Sequence, residues 1–249
     1  MEKKRRTKKI ITASIVFVLL VLILMIISLF TGNPVSGLMA RNKARLYINE
    51  NYSALNLKIQ KTGYNAKDGN YAVGAASGTS QDTHFQLFYR KGEIYRDSYT
   101  DDVLSGQNTW VRLSREYAQN ITPVLQEKFG EALTSVSFIP KKEIMNSLPL
   151  DVPFSKDLIV DGELKIYYRY TQTDSQYLSD ILVNAHHTAT AAGYAFASYS
   201  LAGENQKTLV EISGVTPAQV ESGQLEELIE TAKASGQHDG IHVFTKGGQ

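Results

Sequence analysis

Hydrophobic positions along this chain follow three patterns: one unbroken run, several stretches of strict alternation, and several stripes at helical spacing. The unbroken run extends from Ile10 to Phe30, 21 residues without a charge. As a helix it is about 31 Å long, close to the ~30 Å hydrocarbon core of a bilayer. A buried core helix keeps a polar stripe and this run has none, so the pattern predicts a transmembrane helix over residues 10–30. The run exceeds the ~7–15 apolar residues of a secretory signal and ends "SLFTGNP" without a small-residue cleavage site, which favours a retained anchor.

After the run, "NPVSGLMARNKARLYINENY" offers Pro34 as a helix starter, with Leu38, Met39, Leu46 and Tyr47 at helical spacing and a stop near Asn51. It predicts a short amphipathic helix close to the membrane. In "LNLKIQ", Leu55, Leu57 and Ile59 alternate with Asn56, Lys58 and Gln60, as in a strand with one buried face. "NYAVGAA", "HFQLFYR" and "EIYRDSY" continue a four-stranded meander, separated by "KDG", "SGTSQD" and "KGE". A second helix is expected from about Asp101, with Val103, Trp110, Leu113, Tyr117, Ile121 and Val124 on one stripe and Pro123 kinking or dividing it. This makes an α-ββββ-α domain over residues 31–130.

Residues 131–162 read as a joint: a strand at "TSVSFI", a short helix started by Pro140, and the turn-rich "PLDVPFSKD". Beyond it, "ELKIYYRYT" alternates Leu164, Ile166, Tyr168 and Tyr170 against Lys165, Tyr167 and Arg169. Thr173 and Gln176 suggest a capping box for a helix bearing Tyr177, Leu178, Ile181, Leu182, Ala185 and Ala189. Strands "YAFASYSL" and "KTLVEIS" follow, then a helix announced by Thr216, Pro217 and Gln219 and ended near Gly236, then the strand "GIHVFT". Strand, helix, strand, strand, helix, strand is the order of a ferredoxin-like βαββαβ domain, here over residues 163–249. The fold class expected is α+β throughout.

Charge adds orientation. The tail at residues 1–9 carries six basic residues and one acidic one, and basic flanks remain cytoplasmic, so the C-terminus is expected on the extracytoplasmic side of a cell membrane. Taking six from 26 and one from 25 leaves 20 basic against 24 acidic residues, a net charge of −4 outside the tail. That balance argues against nucleic acid as a partner. The chain has no cysteine, which excludes thiolate zinc sites, thiol nucleophiles, disulfides and lipoprotein acylation.

The stretches "NPVSGLMARNKARLYINENYSALNLKI", "YNAKDGNYAV", "SGTSQDTHFQLFYRKGEIYRDSY" and "VLSGQNTWVRLSREY" resemble the YfjL-like proteins of Gram-positive bacteria. The match is best over residues 30–120 and consists of fold-making residues. The resemblance implies an outward-facing, single-span protein of unassigned function, with no catalytic or binding residues to carry over.

Candidate chemistry is thin. "KTG" at Lys61–Gly63 matches one motif of penicillin-recognising enzymes, yet no S-x-x-K nucleophile exists anywhere in the chain. His186 and His187 are neighbours on a helix, about 100° apart, and are expected on the solvent side. His238 and His242 lie ~13 Å apart on one strand face, too far to chelate one ion. Asp101 and Asp102 suit a helix start. No catalytic, cofactor or metal site is expected, and fourteen tyrosines read mainly as sheet-packing residues. In the last domain, alternation assigns Leu164, Ile166, Tyr168 and Val210 to a helix-covered face and Lys165, Tyr167, Arg169, Leu209 and Phe244 to the other. Tyr167, Arg169, Leu209 and Phe244 form the candidate interaction face, in the mixture of aromatic, Arg and apolar residues that enriches interface centres. The function expected is non-catalytic binding, sensing or modulation of an envelope or membrane protein, with the bilayer itself a partner through residues 10–30. The alternative is an envelope hydrolase or transferase without a recognisable motif.

Overall fold

The computed structural model describes residues 2–141, 147–156, 161–205 and 208–247, the side chains at positions 2–13, 24 and 29 excepted. It divides into two compact units, Met1–Ser105 and Gly106–Gln249, and is α+β with two separate sheets.

The first unit opens with α1 (Glu2–Thr31), within which the whole apolar run is helical. Among the described residues, no helix is long and apolar enough to cross a membrane. The span expected at 10–30 is therefore not carried by them, and the side chains at 10–13, 24 and 29 lie outside the description. Those apolar side chains that are described, from Ile15 to Phe30, are exposed. Gly32 ends the helix in the left-handed region at φ +76°, where a Cβ would meet the Tyr64 ring at 2.6 Å. Asn33 then caps α2 (Pro34–Asn51), its side chain accepting from the Val35 amide.

Strands β1 (Leu57–Asn65), β2 (Asn70–Ser77), β3 (His84–Arg90) and β4 (Glu93–Asp97) form the antiparallel meander in the order the sequence suggested. Val73, Ala75, Phe85, Leu87 and Tyr89 face α2 and are buried. The packed stripe of α2 corrects the expected one. Ala40, Ala44 and Ile48 are buried, whereas Leu38, Met39 and Leu46 are 59%, 50% and 63% exposed. Two alanines spaced four apart let the helix lie close on the sheet, which turns the larger apolar residues outward.

A wide helical turn at Thr100–Leu104 precedes α3 (Gln107–Phe129). This helix was expected to close the first domain, but its stripe Trp110, Tyr117, Ile121 and Leu125 sits in the core of the second unit. Pro123 neither ends nor divides it. The proline lies on the exposed side, where the carbonyl it leaves without an amide partner can turn to water.

The expected joint contributes β5 (Leu133–Pro140), antiparallel to β6 (Gly162–Arg169). Pro140, expected to start a short helix, is instead the last residue of β5 and pairs with Gly162; residues 142–146 lie outside the described residues. Next come α4 (Ser175–Ala191), β7 (Ser198–Glu204), β8 (Thr208–Val215), α5 (Pro217–Glu221), α6 (Leu225–Ser235), β9 (Gln237–His238) and β10 (Ile241–Gly247). Asp174, rather than Thr173, caps α4 by accepting from the Tyr177 amide at 2.9 Å. The helix start expected at Thr216 is a capping box with Gln219, but Gly223 at φ +74° separates the short α5 from α6.

Sheet order is β5-β6-β7-β8-β10-β9, which corrects the ferredoxin-like expectation. A split unit inserts an antiparallel strand between the two parallel ones. Here β6 and β7 pair directly, Leu164 against Tyr199 and Ile166 against Leu201. The far edge of β6 is already taken by β5, so β8 and β10 are added beyond β7. The approach of β6 and β7 is close: a Cβ on Gly203 would lie 1.9 Å from the Tyr168 carbonyl oxygen. The core behind this sheet gathers Leu164, Ile166, Leu178, Leu182, Tyr199, Leu201, Ile212 and Ile229 with the α3 stripe.

Each large side chain of that stripe contributes about 1.5–3 kcal/mol by burial, so removing four of them costs about 6–12 kcal/mol, comparable with the whole ~5–15 kcal/mol stability of a typical domain. A chain starting at Gly106 is expected to unfold in urea in one cooperative transition. One starting at Glu131, without α3, is expected to show none; a cooperative transition in the shorter chain would return α3 to the first unit.

Candidate functional site

Alternation along β6 sends Leu164 and Ile166 into the core and Lys165, Tyr167 and Arg169 to the opposite side. Cross-strand register extends those residues into rows. Tyr167 stands opposite Ala202, Ala202 opposite Glu211, and Glu211 opposite Phe244. Arg169 stands opposite Glu204, which is opposite Leu209, which is opposite Lys246. The four residues of the expected interaction face thus fall in two neighbouring rows on one side of the sheet. At ~4.8 Å per strand, Tyr167 and Phe244 are about 14 Å apart. Phe244 is 53% exposed, Arg169 is exposed, and Tyr167 and Leu209 are half-buried. The strand "TSVSFI" does not pack on this face; as β5 it pairs with the edge of β6.

The centre of the face is closed by an ion pair that pattern reading missed. Lys165 Nζ lies 2.5 Å from Glu211 Oε1, reaching across β7 from β6 to β8. It does so over Ser200 and Ala202, whose small side chains leave the space. The same ammonium sits 5.5 Å from the centre of the Tyr167 ring. The hydrogen bond to Glu211 raises the Lys165 pKa, so the roof stays charged. Ser200 beneath it is fully buried, and its hydroxyl has no hydrogen-bond partner.

His186 corrects the solvent-side expectation. It is 5% exposed, its Nδ1 3.0 Å from the Tyr199 hydroxyl and its Nε2 3.2 Å from Glu221 Oε1. One assignment satisfies every group: Tyr199 donates to Nδ1 while Nε2–H donates to Glu221. Burial pushes the Tyr199 phenol up to about 12, which keeps it a neutral donor. The network ties α4, β7 and α5 together. No sequence spacing links residues 186, 199 and 221, so it was invisible beforehand. His187, one position on, is exposed.

The remaining candidates are separated. His238 and His242 lie on different strands of the β9–β10 hairpin, opposite Ile241 and Gln237 respectively, because Asp239 and Gly240 form its turn at φ +48° and +78°. "KTG" lies within β1. Asp101 pairs with Arg96 at 3.6 Å and Asp102 accepts from Ser98 at 2.5 Å. An acidic cavity of about 550 Å³ collects Asp174, Glu226, Glu227 and Glu230 where α4 and α6 begin. There Asp174 caps α4 and Glu230 accepts from Ser175, so these carboxylates compensate helix dipoles. Among the described residues, no group of three or more His, Cys, Asp or Glu could hold a metal ion.

In the first unit, Asp97 gathers Tyr47 at 2.7 Å, Tyr52 at 3.1 Å and the Tyr99 amide at 3.0 Å. The hydrogen bond to Asp97 pushes Tyr47 up to about 12. Burial, then the same carboxylate, raises Tyr52 further.

Comparison with known families gives two matches. The YfjL-like N-terminal domain matches residues 7–98, and the YfjL-like C-terminal domain matches residues 116–230. The likeness therefore continues well beyond residue 120, and the gap between the two matches contains the boundary between the units. No curated protein and no solved structure gives a significant match.

Two outcomes are expected. His186→Ala should cost about 2–4 kcal/mol in urea unfolding, since it opens a cavity and strands the Tyr199 hydroxyl. Glu221→Gln, at a carboxylate whose side chain is 63% exposed, should cost under about 1 kcal/mol. Equal losses would mean that the ion pair, not the buried ring, holds the junction. The raised tyrosines set an alkaline limit. Their protons are held in the folded state and released from the unfolded one, so the stability they contribute is complete below pH 10 and falls as pH rises toward 12. Melting temperature should fall across that window in step with tyrosinate absorbance; ionisation complete by pH 10 without unfolding would contradict the assignment.

Proposed function

The chain belongs to the YfjL-like family, and we propose that it works as a membrane-held, outward-facing binding protein whose six-stranded sheet engages a protein partner without catalysing a reaction. Residues 10–30 are the anchor in this reading, the basic tail stays in the cytoplasm, and both units stand outside. Three features support the anchor. The run is 21 residues without a charge, its described apolar side chains are exposed rather than packed, and the family's N-terminal domain begins at residue 7, so the run belongs to that domain.

The observation that carries the binding role is the open face of the second sheet. Helices α3, α4 and α6 contribute their apolar stripes to the core on one side. The other side presents Tyr167, Arg169, Leu209 and Phe244 in two adjacent rows. Glu204, Glu211 and Lys246 share those rows, so the aromatic and apolar side chains stand among charges, as at the margin of an interface core.

A reporter active only in the cytoplasm, fused after Gln249, should remain silent; activity would overturn the orientation. For the face, a photo-reactive aromatic residue at position 244 should trap a membrane-fraction partner. Tyr167→Ala with Arg169→Ala should abolish that cross-link while shifting the melting temperature by only a few degrees, since Arg169 is exposed and Tyr167 is only half-buried on the open side. A large loss of stability would make these residues structural and sink the partner-face reading.

A further inference from the structure

Helix α2 carries two apolar stripes, and only one is used by the fold. At about 100° per residue, Ala40, Ala44 and Ile48 centre on one side, and all three are buried against the sheet. Val35, Leu38, Met39 and Leu46 fall within an arc of about 100° on the opposite side, which also holds Asn42 and Asn49. They are 65%, 59%, 50% and 63% exposed. Arg41, Lys43 and Arg45 flank this outer stripe, and Glu50 is the helix's single acidic residue. A helix with one polar-flanked apolar stripe and basic borders is built to lie in the headgroup region of a bilayer.

Its position agrees. The exposed stripe begins at Val35, five residues after Phe30, where the apolar helix α1 ends. The junction is fixed to the sheet: the Tyr71 hydroxyl accepts from the Asn33 amide at 2.5 Å and donates to the Asn33 carbonyl at 2.8 Å, and Gly32 rests on the Tyr64 ring. Beside the stripe, sharing Met39 and Ser36 with α2, lies a cavity of about 430 Å³ lined also by Tyr64, Tyr71, Arg90 and Lys91. No carboxylate is among its described lining residues, although Glu93 stands opposite Arg90 in the hairpin and the Arg90 guanidinium stacks on Tyr95 at 4.9 Å. Tyrosines and cations at the depth where a span emerges are interface anchors.

We infer that α2 lies on the membrane surface, with Val35, Leu38, Met39 and Leu46 in the acyl boundary and Arg90 and Lys91 at the phosphates of anionic lipid, so that the first unit is docked on the bilayer rather than tethered above it. The inference rests on the anchored reading proposed above and adds a second contact with the bilayer. The partner is a lipid surface because the stripe continues from the apolar helix and is bordered by positive charge, the complement of anionic headgroups.

The chain has no cysteine, so a dye can be placed at single sites in the full-length protein. Leu22→Cys, Leu38→Cys, Leu46→Cys and Lys58→Cys variants, each labelled with an environment-sensitive dye, are inserted into vesicles of phosphatidylglycerol and phosphatidylcholine. Labels at 22, 38 and 46 should be quenched several-fold more by a lipid-chain quencher than by iodide, and the label at 58 should show the reverse. Aqueous labels at 38 and 46 with a lipid-buried label at 22 would overturn the docking while leaving the anchor intact. An aqueous label at 22 would overturn the anchor, and the docking with it. Arg90→Gln with Lys91→Gln should erase the extra lipid quenching at 46 that phosphatidylglycerol gives over pure phosphatidylcholine. Unchanged quenching would remove Arg90 and Lys91 from the surface.

Discussion

A sheet covered by helix on one side alone has to satisfy water on the other, and both sheets of this chain are built under that constraint. Where aromatic rings fall on the open sides, cations are laid over them. Arg96 stands 5.1 Å above Phe88, Arg90 4.9 Å above Tyr95 and Lys165 5.5 Å above Tyr167. Each stem covers apolar ring surface while the charged head remains wet. Phe244 departs from this solution, standing 53% exposed at the outer end of its row. The open side of the second sheet is therefore not uniformly dressed for solvent. Its centre is sealed by the Lys165–Glu211 pair and its apolar surface lies to either side, which confines any contact surface to the flanks of that pair.

The division between the units follows from the same economy of faces. The four-stranded meander has α2 for its single cover, and the two alanines of that helix fit it closely. The six-stranded sheet needs a broader cover, and α3 supplies the part over β5 and β6, with Tyr117 stacked on Phe138 at 4.6 Å and crossed by Phe154 at 4.8 Å. A helix that follows the first sheet in sequence thus belongs to the second in space. The two family matches leave the same interval, residues 99–115, between them.

Period and punctuation made most elements legible. The meander, the helix start at Thr216, the glycine ending α6 and the two sides of β6 were all readable, because each depends on residues within a few positions of one another. Three things were not. Strand neighbours follow from which edges are vacant, so the order strand, helix, strand, strand, helix, strand could not separate a direct βαβ pairing from a split one. The packed side of α2 was misread because Leu38, Met39 and Leu46 outweigh two alanines in hydrophobicity, whereas the sheet selects for closeness. The buried place of His186 was missed because Tyr199 and Glu221 reach it from other elements. Of the candidate face, membership was readable from alternation; the ion pair spanning its middle was not, since it depends on register across three strands.

Tyrosine is where these threads meet. Alternation identifies its ring as sheet packing, and the rings are indeed packed, but the hydroxyls make long-range ties that alternation cannot see. Tyr47 and Tyr52 reach Asp97 from 50 and 45 residues away. Tyr71 holds Asn33 across 38, and Tyr170 donates to the Val210 carbonyl at 3.2 Å across 40. In a chain without cysteine, such bonds occupy the places where a disulfide would close a loop. Each contributes about 0.5–1.5 kcal/mol net, against the ~2–4 kcal/mol of a typical disulfide, so several are needed to match one crosslink. The phenol suits that use better than a serine or a lysine would, because the same residue buries a ring in the core and carries its donor to the rim of it. It also makes the ties directional. A ring fixed by packing can offer its hydroxyl to only one neighbourhood, so α2, the end of β4 and the α1–α2 junction are held in register by residues whose first duty is to fill space.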